Sequence, residues 1–113
     1  MGNTTNISAG FFDGAWHNTS GFQPAVNTWY QSVGTYDGST LVQYVNGASQ
    51  SSLSYTGTPS SGGLVRIASR WDDQASSIDF FPGDIAIVKI YNTALSGADV
   101  LQNFNANRLR FGI

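Results

Sequence analysis

The sequence predicts an all-β, antiparallel fold that carries a single short helix near its C-terminal end. Three observations support this. Short runs of aromatic and β-branched residues alternate with glycines and Ser/Thr/Asn clusters, the pattern of antiparallel strands joined by turns. Asp37-Gly38 and Asn46-Gly47 each stand between two such runs, where a tight hairpin needs positive φ. Ser96-Gly97-Ala98-Asp99 has the form of a capping box, and Val100, Leu101 and Phe104 follow at near-helical spacing.

Taken in order, strands are expected near 5–12, 28–36, 40–46, 64–69 and 84–91, with weaker ones near 14–18, 49–55 and 77–81. Residues 56–63, Thr-Gly-Thr-Pro-Ser-Ser-Gly-Gly, read as a flexible loop with no packing role. The helix should span about 97–106 and dock through Val100, Leu101 and Phe104. In the run 84–91, Ala86, Val88 and Ile90 fall on one face and Ile85, Ile87, Lys89 and Tyr91 on the other. A solvated outer face should alternate apolar with polar. This one does not, so a covered outer face is expected, with Ile85, Ile87 and Tyr91 as candidate interface residues and Val88 in the core.

Composition narrows the function. The chain has 113 residues, enough for a single domain with one core, and 1–113 is read as that domain. Only 11% of residues are charged, against about 25% in an average protein. Ser, Thr, Asn, Gln and Gly replace them, a mix suited to an extracellular or virion surface. The formal net charge of −2 leaves no basic field for nucleic acid and no polybasic run for an anionic membrane. No run approaches the ~18 apolar residues of a membrane-spanning helix. There is no cysteine, so disulfides and thiolate metal sites are excluded.

Two blocks of sequence resemble a known family. Trp29-Tyr30, Gly34-Thr35-Tyr36-Asp37-Gly38-Ser39 and Tyr44-Val45-Asn46-Gly47 look like the central hairpin of concanavalin A-like, laminin-G-type domains. Phe81-Pro82-Gly83-Asp84-Ile85, Val88-Lys89-Ile90-Tyr91-Asn92 and Ala94-Leu95-Ser96 look like their closing segment. The resemblance implies a β-sandwich of jelly-roll type, shortened on its N-terminal side, in which Trp29 and Tyr30 belong to the core. Family relatives commonly carry acidic residues where Ala86 and Ile87 stand. The tail from Asn103 to Ile113 is similar to the ends of such domains in tailed-phage virion proteins. That similarity implies a non-enzymatic virion component on the particle surface: a capsid decoration, fibre or tail appendage. The alternative is a secreted carbohydrate-binding module.

Catalysis is not expected. Glycoside hydrolases need two carboxylates flanking the scissile bond, ~5–9 Å apart. This chain has no glutamate, and no pair of aspartates alternates within an apolar strand. Binding is the better prospect. Trp71, Asp72, Asp73 and Gln74 lie between two expected strands, in a loop at one end of the sandwich. Trp71 can offer a flat face to a sugar ring while the polar side chains bond hydroxyls. It can equally plug the sandwich end while Arg70 pairs with Asp72 or Asp73. Trp16 and His17 form a second candidate glycan contact, or His17 simply occupies a turn at a strand end. Calcium at Asp72 and Asp73 with Asp79 or Asp84 is a weaker alternative to solvated loop charges, since the ion wants about six to eight oxygens. No other metal or cofactor is expected. The expected partners are further copies of the chain, other virion proteins, or a cell-surface glycan.

Overall fold

The computed structural model describes residues 6–61, 65–71, 77–78 and 80–113. The chain divides into two compact units, Met1–Ser60 with Tyr91–Ile113, and Ser61–Ile90. In the first, β1 (Gly10–Phe12) and β2 (Trp16–Asn18) form a hairpin, while β3 (Ser32–Tyr36), β4 (Thr40–Val45) and β5 (Ala48–Ser54) form an antiparallel sheet in that order. The second holds the two-residue ladder of β6 (Arg70–Trp71) with β7 (Ser77–Ile78). Helix α1 (Gly97–Asn107) and a 3₁₀ turn (Arg108–Phe111) end the chain.

The three-stranded sheet is set by its turns. Asp37 Oδ1 accepts the amides of Ser39 at 2.9 Å and Thr40 at 2.8 Å, while Gly38 takes φ of 98°. At the second turn Asn46 and Gly47 both have positive φ, 51° and 81°, as a type I′ hairpin requires. Asn46 also ties back to the entry of β3. Its Oδ1 accepts the Gln31 amide at 2.9 Å, and its own amide donates to the Gln31 carbonyl at 2.9 Å. These turns fix a register of Gly34 opposite Gln43 and Val42 opposite Ser52.

The fold is an antiparallel β-sandwich with one short C-terminal helix. The hairpin lies over the face of the sheet that carries Gly34, Tyr36, Leu41 and Gln43. The approach is close, since a Cβ added at Gly34 would stand 2.8 Å from that of Ala9. At the centre of this contact Gln43 is fully buried. Its Nε2 donates to the Ile7 carbonyl at 2.9 Å and to Ser32 Oγ at 3.4 Å. Its Oε1 accepts from Thr19 Oγ1 at 3.0 Å and from Ser51 Oγ at 3.4 Å. The Thr19 hydroxyl also takes the Ala9 amide at 3.1 Å. Both ends of the amide are therefore satisfied, which is the condition for a polar group in a core.

The helix follows its sequence closely. Ser96 Oγ accepts the Asp99 amide at 3.1 Å, and Asp99 Oδ2 accepts the Ser96 amide at 3.2 Å, completing the capping box. Val100 and Phe104 are buried. Gly47 makes room for them: a Cβ there would meet the Phe104 ring at 2.9 Å and Leu101 at 3.0 Å. Leu101 nevertheless keeps much of its surface exposed, so docking rests on Val100 and Phe104.

Four expectations need correction. Residues 84–91 form no strand with any described residue, and Val88 is 49% exposed rather than in the core. Apolar alternation supplied the β-propensity, but no strand among the described residues pairs with it to complete a ladder. No strand forms over residues 65–69 either, where Ala68 takes a positive φ of 66° and its carbonyl accepts the Phe81 amide. Trp29 is not core. It precedes β3, is partly exposed, and packs its ring 5.1 Å from that of Phe111. The described part of the loop after β5, residues 56–61, does pack: Gly57 donates to Tyr36 Oη at 2.9 Å and Ser60 to the Phe12 carbonyl at 2.7 Å.

Candidate functional site

The β1–β2 hairpin has two aromatic faces because its strands alternate. Cross-strand pairing sets Phe11 opposite His17 and Phe12 opposite Trp16. The first pair faces the sheet, and the second faces away from it.

The inner pair joins a compact cluster. The His17 ring stacks on Tyr55 at 3.7 Å, and the Phe11 ring lies 4.6 Å from Tyr36. His17 Nε2 lies 2.8 Å from Asp13 Oδ1, in the turn that joins the strands. Tyr36 Oη donates to the Tyr55 carbonyl at 3.2 Å, closing the cluster against the loop after β5. Desolvation opposes ionisation of Asp13. Hydrogen bonds from His17 and Tyr55, the His17 charge and the Ala15 amide outweigh it and hold the carboxyl below its ordinary value. The reciprocal effect appears at Tyr55, whose hydrogen bond to Asp13, then desolvation and the carboxylate charge, push its hydroxyl up. The cluster locks the hairpin onto the sheet.

The outer pair is presented to solvent. Phe12 is 43% and Trp16 56% exposed, with ring centroids 5.3 Å apart and planes tilted by 54°. The next pair along the same face is Gly10 and Asn18. A Cβ at Gly10 would fall 1.7 Å from Asn18 Oδ1, so the Asn18 amide lies across the space a side chain would take. The outer face is thus an aromatic platform with a carboxamide at its end. Flat apolar rings beside hydrogen-bonding groups are chemistry that can seat a sugar ring.

A cavity of about 390 Å³ opens beside this hairpin. Ser8–Phe11 form one wall, Ser32 and Gly34–Tyr36 another, and Leu41 and Pro59 complete it. Every one of these lining residues is uncharged.

The sequence candidates fall in different places. Trp16 stands on the platform, whereas His17 lies behind it in the inner cluster. Trp71 is in β6, and Asp72, Asp73 and Gln74 lie outside the described residues, as does Asp79. Ile85, Ile87 and Tyr91 are all exposed. Tyr91 Oη accepts from Asn103 Nδ2 at 3.3 Å. Among the described residues no three His, Cys, Asp or Glu side chains gather as a metal site. Sequence reasoning passed over Phe12, Asn18 and the cavity wall. The signal available was the alternation Phe11/Phe12 against Trp16/His17 across the Asp13-Gly14 turn.

No curated protein matches the chain. Among solved structures it is similar to an S-layer domain-containing protein (residues 221–444) from Clostridium thermocellum, with a TM-score of 0.55 and 15% identity over 92% of this chain. The chain spans 66% of that solved chain's length, and at this identity the likeness bears on fold alone. The model of the concanavalin A-like lectin/glucanases superfamily matches residues 2–101, nearly the whole chain. The chain therefore belongs to the concanavalin A-like lectin/glucanases superfamily.

Proposed function

We propose that the domain is an extracellular carbohydrate-binding module that seats a saccharide on the Phe12–Trp16 platform. The observation that carries this reading is the exposed aromatic pair on the outer face of a hairpin whose inner face is locked to the sheet. The inner cluster holds the platform rigid, so little ordering entropy is lost on binding. The sugar's apolar face would lie on Trp16 and Phe12, and Asn18 would bond a hydroxyl.

The cell-surface setting is supported by the family, which includes lectins, and by the low charge. A place on a virion rests on the tail sequence alone and is the less favoured setting. Trp71 with Asp72, Asp73 and Gln74 is the competing glycan site. The exposed Ile85, Ile87 and Tyr91 support a second property, self-association or docking on a larger surface layer.

Glycan-array screening followed by calorimetry tests the binding function. Neutral saccharides should bind, and Trp16→Ala should weaken the best of them by about 2 kcal/mol, roughly thirtyfold, with the fold intact. Binding unchanged in Trp16→Ala would remove the platform from the account.

A further inference from the structure

We infer that Trp29, Phe111 and Arg110 form a second saccharide contact, separate from the platform and selective for a sugar that carries a carboxylate. The inference rests on the proposed carbohydrate function and adds an acidic class of ligand to it.

The three side chains are joined by ring contacts. The Trp29 ring lies 5.1 Å from that of Phe111, and the Arg110 guanidinium stands 5.6 Å from the centre of the same ring. Trp29 is 39% exposed, and Arg110 is exposed as well. A flat ring and a cation thus share one support, within reach of a single short oligosaccharide.

Both are held in place from within the chain. The residues after Trp29 are clamped: Tyr30 Oη accepts the Ala25 amide at 3.1 Å, and Gln31 is tied to Asn46 by two hydrogen bonds. At the other end of the chain Gly112 takes φ of 69° and donates to the Arg108 and Leu109 carbonyls, which closes the turn that carries Arg110 and Phe111. Such preorganisation lowers the ordering cost of binding.

Charge selects the ligand. Arg108 is committed, with its guanidinium 4.9 Å from the centre of the Phe104 ring and its Nε donating to the Ile113 carbonyl at 2.6 Å. Among the described residues the Arg110 guanidinium has its ring contact but no ion pair or hydrogen bond. No Asp or Glu stands between Asp13 and Asp37 or after Asp99, so neither segment of the site brings a carboxylate of its own. A guanidinium held over a ring keeps the N–H groups in its plane available, and their fork matches a carboxylate. A uronate residue offers both halves of the match, a sugar ring with an apolar face for Trp29 and a carboxylate for Arg110.

The test uses the whole chain. Tetragalacturonate and tetramannuronate are the acidic probes, cellotetraose and mannotetraose the neutral ones, and tetraglutamate the control for charge alone. NMR titration follows the Trp29 indole N–H, and calorimetry gives the affinity. An acidic tetrasaccharide should shift the Trp29 signal, bind more weakly as salt is raised, and lose about tenfold in affinity in Arg110→Gln. Arg110→Lys, which keeps the charge and loses the fork, should lose less. Neutral tetrasaccharides should leave the Trp29 signal unmoved. The Trp29 shift is read on the wild-type chain and needs no variant to fold. Acidic saccharides that bind with Trp29 unmoved, or equally well in Arg110→Gln, would overturn the inference. Tetraglutamate bound as tightly as the uronates would also overturn it, because charge alone would then account for binding. Neutral saccharides bound at Trp16 with no binding of either uronate would overturn this inference and leave the carbohydrate function standing. No binding to any of the saccharides overturns both together.

Discussion

The sheet β3–β5 and the segment 84–91 are both rich in residues that favour strands, yet only one is a ladder. Leu41-Val42-Gln43-Tyr44-Val45 pairs on both sides, flanked by Asp37-Gly38 and Asn46-Gly47. Ile85-Ala86-Ile87-Val88-Lys89-Ile90 is more apolar and pairs with no described residue. The difference lies in the turns. Each turn of the first region brings its neighbour into register locally, whereas among the described residues no turn folds a neighbouring strand back onto the second region. β-propensity describes fit to a half-buried pleated surface, and it does not create that surface. Among the described residues the buried side chains follow the same division, with Thr19, Leu41, Gln43, Val100 and Phe104 all in the first unit.

The largest expected effect separates the two regions directly. Val100 is completely buried and Val88 is 49% exposed. Val100→Asp should unfold the domain at a cost of several kcal/mol, because an unpaired carboxylate would enter the core. Val88→Asp should stay within about 0.5 kcal/mol of wild type, as surface substitutions do. Thermal melts of the two variants provide the check. Equal, large losses would mean that 84–91 is packed as a core strand after all.

A smaller effect concerns the lock beneath the platform. The Asp13 carboxyl is held below its ordinary value of 3.8, so its contribution is full above that value and is lost as pH falls through the depressed one. Tyr55 is raised above 10.0, so its contribution is full below 10.0 and is lost as pH rises through the raised value. Asp13→Asn should flatten the acid limb of the stability profile measured by urea unfolding. An unchanged acid limb would remove Asp13 from the lock.

What could be read from the sequence was local. The two hairpin turns, the capping box and the burial of Val100 and Phe104 are encoded within a few residues of one another. The all-β class followed from the spacing of those signals. The contacts that build the site were not legible, because they join residues distant in sequence. Gln43 looks like an ordinary polar strand residue until Ile7, Thr19, Ser32 and Ser51 surround it. The segment around Gly57 reads as a polar loop, and only its hydrogen bond to Tyr36 shows that it packs. Trp16 and His17 read as a pair in the sequence, but alternation sends them to opposite faces of the hairpin.

In the proposed function, Trp16 on its hairpin is the saccharide contact. The chain holds three tryptophans, Trp16, Trp29 and Trp71, so its indole N–H region should give three resolvable proton–nitrogen signals. Single Trp→Phe variants assign them. Titration with the best neutral tetrasaccharide should shift the Trp16 signal most and leave that of Trp29, packed against Phe111, in place. A shift confined to Trp71, with Trp16 unmoved, would contradict the account and move the site to residues 71–74.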